Sequence, residues 1–142
     1  MLPYIQSFIK AIEKRNTLVY EIILNEKNDL NFNNHISDIP ESITNFYLTI
    51  NSIKISSPRY FEILPVQELK IINQKYLLFS YIDETNKIAF DTSYKNSANE
   101  WDIVNIESDF VITKTLAGYI TNKSLAWIDR GRKIWKEELH DI

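Results

Sequence analysis

Residues 76–92 restrict the possible folds of this chain more than any other stretch. Tyr76 to Ile82 is a buried-type strand, Asp83-Glu84-Thr85-Asn86 is a polar turn, and Lys87 to Thr92 supplies the partner strand. From this hairpin onward the pattern is an antiparallel meander. Ser93 to Asn99 forms a polar loop, and Trp101 to Ile106 reads as a third strand. Its apolar positions are Trp101, Ile103, Val104 and Ile106, so the alternation slips by one, as a bulge would cause. Asp109 to Ile112 fits either a fourth strand or the start of a helix.

The residues before the hairpin divide into helix and strand. Ile5, Phe8, Ile9 and Ile12 recur at helical spacing behind Pro3, which suits a first helical turn, and the helix is expected to end near Asn16. Thr17 to Leu24 is rich in branched and aromatic residues and reads as a strand, followed by a polar loop from Asn25 to Asn34. Asp38 stands before Ile39-Pro40-Glu41, a combination that predicts a helix capped by Asp38. Ile39, Ile43, Phe46, Tyr47 and Ile50 mark its buried face, and it should stop at Asn51-Ser52. Tyr60 to Leu64 is a strand closed by Pro65, and Val66 to Asn73 suggests one or two helical turns. Leu116–Ile120 and Leu125–Leu139 read as C-terminal helix, weakened at Gly118 and Gly131. The expectation is an α+β fold: a mainly antiparallel, meandering sheet flanked by N- and C-terminal helices, in one domain over residues 1–142.

Composition removes several kinds of chemistry. The chain has no cysteine, which excludes disulfides, thiolate nucleophiles and cysteine-based metal sites. Its two histidines, His35 and His140, are far apart and do not suggest a zinc site. With only two glycines there is no loop to cradle phosphate, and no serine lies in a nucleophile-elbow motif. Asp83-Glu84 reads as a solvated turn, because the calcium-loop pattern around a glycine is missing. No catalytic residue, cofactor or metal is expected. The N-terminus lacks the basic start and unbroken apolar run of a signal peptide, and no stretch approaches the ~20 apolar residues of a membrane span. A cytoplasmic location is expected, without membrane contact.

Charge is uneven along the chain. Residues 1–80 carry eight acidic and eight basic side chains, whereas residues 81–110 carry seven acidic against two basic. The overall acidity argues against nucleic-acid binding, which depends on neutralising phosphates. The basic run Arg130-Gly131-Arg132-Lys133-Ile134-Trp135-Lys136 is followed by Glu137 and Glu138, so it reads as a mixed-charge solvated face. The acidic stretch favours a basic protein partner, since complementary charge speeds encounter. Asp91, Tyr94, Glu100, Trp101, Asp102, Glu107 and Asp109 lie on or beside adjacent strands and form the candidate partner-binding patch. For Trp101 a place in the core is the competing reading.

The order of segments from Asp38 to about Ile128 resembles the SUKH superfamily, which includes the fungal cell-wall-assembly-regulator domain and many bacterial immunity proteins. The residues that carry the resemblance begin with Ile39-Pro40-Glu41 through Phe46-Tyr47-Leu48, similar to the family's Leu-Pro-acidic helix opening. Asn51-Ser52 stands where the family commonly has Asn-Gly. Phe61-Glu62-Ile63-Leu64-Pro65-Val66-Gln67-Glu68-Leu69 is similar to a Phe-x-x-Leu-Pro-x-x-Glu-Leu element. Leu77 to Ser80 with Ile88 to Asp91 resembles the central hairpin, Trp101 to Val104 the next strand, and Leu116 to Ile120 the C-terminal helix. The resemblance implies an α+β fold without shared catalytic residues. In bacteria it implies neutralisation of a toxin, often a nuclease, by direct binding. The alternatives are a regulatory interaction or scaffold module and an enzyme of unrecognised type.

Overall fold

A computed structural model describes residues 1–27, 30 and 36–137. Pro3 opens helix α1 (Pro3–Glu13), which buries Ile5, Phe8 and Ile12 along one side. Strand β1 (Val19–Leu24) follows. The loop expected at Asn25–Asn34 lies mostly outside the described residues. Helix α2 (Glu41–Thr49) starts later than Asp38 suggests. Pro40 holds the cap position without a side-chain cap bond. Asp38 instead adopts a left-handed φ of 61° and pairs with Lys95 at 3.1 Å.

The end of α2 brings the largest correction. Ile50 is already extended, at φ −111° and ψ 128°, so the helix runs directly into strand β2 (Ile50–Ser57). Sequence reading places no strand there. Ile53 and Ile55 are buried between polar neighbours that are half-buried or exposed, so the period changes from helical to alternating with no turn to announce it. Strand β3 (Phe61–Ile63), a single 3₁₀ turn (Val66–Glu68) and strand β4 (Lys70–Ile72) come next. The helical reading of residues 66–73 therefore holds only for the first turn. The expected hairpin is β5 (Tyr76–Ile82) and β6 (Asn86–Asp91), followed by β7 (Ile103–Asn105) and β8 (Val111–Thr113).

All pairings in this eight-stranded sheet are antiparallel, and the strands follow one another almost in chain order. β3 and β4 share one side of the long β5: Ile63 sits opposite Ser80, and Lys70 opposite Leu78. The bulge expected within residues 101–106 falls on the neighbouring strand. Ile103 pairs with Thr113 and Val104 with Val111, so Ile112 is the extra residue. Trp101 through Asn105 are all buried, which is why their apolar residues do not alternate.

The last described helices are α3 (Leu116–Gly118), a π turn (Tyr119–Lys123) and α4 (Ser124–Arg130), which run on as one helical segment. It stops at Gly131, not at Leu139. Gly131 takes a left-handed φ of 67°, and the N–H groups of Gly131 and Arg132 bond the Trp127 and Ala126 carbonyls. Tyr119 lies within 5.7 Å of the Phe61 ring and 5.5 Å of the Phe79 ring, and its hydroxyl meets Ser80 Oγ at 2.7 Å. Phe79 stacks on Phe90 at 3.9 Å. The salt bridge from Arg15 to Asp129, 2.8 Å, ties the end of α1 to α4. The sheet face beneath these helices is the core.

Candidate protein-binding surface

The structure brings part of the sequence-derived patch together and turns much of it inward. Trp101 is 4% exposed and approaches Phe90, so it is a core residue and cannot serve as a surface anchor. Asp91 and Asp102 are buried as well, and their carboxylates are occupied. Asp91 accepts hydrogen bonds from the Ser93 N–H and hydroxyl, at 3.0 and 2.6 Å, and faces Lys75 at 3.6 Å. Asp102 accepts from Asn96 Nδ2 at 2.8 Å and from the Tyr94 hydroxyl. That bond is the first cause holding the Tyr94 hydroxyl above its usual pKa. These carboxylates hold the 92–100 loop against the sheet, because a buried acid needs donors of this kind.

Glu100 points away from the others. Its Oε1 accepts from Ser42 Oγ at 2.8 Å and from the Leu116 N–H at 3.0 Å, so it clips α2 to the start of α3. A carboxylate at the first N–H groups of a helix also opposes the helix dipole. The Tyr4 hydroxyl is buried nearby without a hydrogen-bond partner among the described residues, and burial, then the Glu100 charge, pushes its pKa up to about 12.

Only Tyr94, Glu107 and Asp109 remain exposed. Asp109 accepts from the Tyr76 hydroxyl at 2.8 Å and lies 3.7 Å from Lys75, whose ammonium thus stands between Asp91 and Asp109. The acidity of residues 81–110 is therefore partly cancelled where it reaches the surface. Among the described residues no three acidic or histidine side chains are arranged to hold a metal ion. His35 and His140 lie outside the described residues.

Among the described residues the larger surface without a neighbouring strand is β1, which ends one side of the sheet. Val19, Tyr20, Ile23 and Leu24 are 60%, 40%, 43% and 46% exposed. An open cleft of about 770 Å³ follows residues 21–27 and is closed by Asn51, Val66 and Gln67. Edge strands of soluble proteins are commonly kept short or broken by charges or proline. β1 has six residues, no proline and one charge, Glu21.

The solvent face of the sheet carries a row of opposed charges. Pairing sets Glu21 opposite Lys54, Lys54 opposite Glu62, Glu62 opposite Tyr81, and Tyr81 opposite Lys87. Glu62 is also bonded by the Tyr60 hydroxyl at 2.6 Å, and Lys54 stands 5.9 Å from the Tyr60 ring centroid. Burial, followed by the hydrogen bond to the Glu62 carboxylate, raises the Tyr60 pKa. β1 was read from the sequence as a strand but not as a surface. Apolar residues on both faces suit a central strand, so nothing local to this segment marks it as an edge.

No family model, curated protein or solved structure matches the chain. Among the described residues no helix is long and apolar enough to cross a membrane.

Proposed function

We propose that this chain is a non-enzymatic protein-binding domain of the immunity type, which neutralises a toxin in the cytoplasm by direct binding. The observation that carries the reading is the edge strand β1, unpaired on one side among the described residues, with four large apolar residues exposed beside an open cleft. A sheet edge offers a row of backbone donors and acceptors, and alternate side-chain contacts add specificity. The resemblance to SUKH immunity proteins supplies the toxin as the partner. The sequence acidity, with Glu107, Asp109 and Tyr94 still at the surface, supports a basic partner such as a nuclease.

The test is a comparison of the unmodified protein with Ile23→Lys in co-purification from the native host. The captured protein should be toxic when expressed alone and harmless when co-expressed with this chain. Ile23→Lys should fold normally, since Ile23 is exposed, yet fail to capture or protect. Equal protection by Ile23→Lys, or a captured protein without toxicity, would defeat the proposal.

A further inference from the structure

Resting on that reading of β1, we infer that its partner is an extended strand with lysine or arginine opposite Glu21 and apolar residues opposite Val19 and Ile23. The pairing of this sheet determines what an added strand would meet. On the solvent face the row reads Lys87, Tyr81, Glu62, Lys54, Glu21, so each charged residue with a charged neighbour faces the opposite sign. Directly opposed residues share a face, and unlike charges there attract while like charges repel. Among the described residues Glu21 ends the row, exposed and open to one more strand. The two residues beside it on the same face, Val19 and Ile23, are both exposed and apolar. The incoming strand therefore reads apolar, cation, apolar on that face.

On the other face Tyr20 and Leu24 are exposed and Ile22 is partly buried against the core, which favours branched or apolar residues there as well. A second copy of β1 does not meet the requirement. Glu21 is the only charged residue among its six, so no register of the strand against itself sets a cation opposite Glu21. The occupant is a different chain, and its sign matches the basic partner proposed above.

Two synthetic peptides test this, Thr-Val-Thr-Lys-Thr-Val-Thr and the same peptide with glutamate for lysine. Each is titrated into isotope-labelled protein, and the amide shifts of residues 19–24 are followed by NMR. The lysine peptide should bind about threefold more tightly, within the range expected of one cross-strand charge pair. Glu21→Lys should reverse the preference, and added salt should shrink it. Equal binding of both peptides at β1 would overturn the charge rule while leaving the edge as the docking site. No shift in residues 19–24 with either peptide at about 1 mM would overturn the inference, as that bounds the affinity at a useless level. Sedimentation showing a dimer that Ile23→Lys dissolves would overturn it as well, in favour of a second copy.

Discussion

Trp101→Ala separates the core reading of residues 91–109 from the surface reading. Trp101 is 4% exposed, beside Phe90 at 6.3 Å between ring centroids. A buried tryptophan removes roughly 150–250 Å² from water. At about 25 cal/mol per Å², most of that area is worth some 3–5 kcal/mol, which agrees with the usual cost of truncating a buried aromatic to alanine. Unfolding entropy of about 2.1 cal/mol/K per residue gives roughly 0.3 kcal/mol/K for a chain of this length. The melting temperature should then fall by about 10–17 °C. A domain of this size has about 5–15 kcal/mol of stability, so the variant should still fold in the cold. Urea titration followed by circular dichroism measures the loss, and the midpoint should drop while the slope stays unchanged. Glu107→Lys, an exposed change nearby, should leave the unfolding free energy within about 0.5 kcal/mol of the unmodified protein's. A Trp101→Ala midpoint equal to that of Glu107→Lys would place the indole at the surface and refute the packing described here.

Three further outcomes follow from local geometry. Tyr4→Phe removes a buried hydroxyl with no partner among the described residues, so thermal unfolding should show unchanged or slightly higher stability; a loss above about 1 kcal/mol would mean that the hydroxyl is bonded. Gly131→Ala forces a side chain into left-handed backbone and brings its Cβ to 2.9 Å from Arg59 Nε, so it should cost about 1–2 kcal/mol by urea titration, and Gly131→Asn less. Asp129 is held below its usual pKa, first by its hydrogen bond from Arg15. Its stabilisation should be complete above about pH 4 and be lost as pH falls through the lower folded value. Because the pair is largely solvent-exposed, the contribution should stay under about 1 kcal/mol. The stability difference between the unmodified protein and Asp129→Asn should shrink on acidification, and a difference that grows would contradict the assigned pair.

The α+β class and most of the elements are legible in local patterns along the chain. Tyr76–Ile82 with its polar turn and return strand could only be a hairpin, and α1 followed from Pro3 and the spacing of Ile5, Phe8 and Ile12. These are local signals, in which period and turn chemistry act within about ten residues. β2 escaped because Ile50 serves both the end of α2 and the start of the strand, leaving no break to read. The last helix was extended too far because Ile134, Trp135 and Leu139 continue its spacing, while Gly131 has already turned the chain.

Which residues a neighbouring element covers, and which strand lies at the edge of the sheet, depends on contacts between segments far apart in the chain. Asp91 and Asp102 look like surface residues in one dimension, and Trp101 fits either surface or core. They are buried because β7 lies between β6 and β8, and because Tyr94, Asn96, Ser93 and Lys75 supply the donors their carboxylates need. Thr17–Leu24 looks like a strand for the centre of a sheet. It is exposed because the meander begins with it, so a second neighbour that would cover Val19 and Ile23 is missing among the described residues. Burial depends on what lies across a strand, and residues distant in the chain set that.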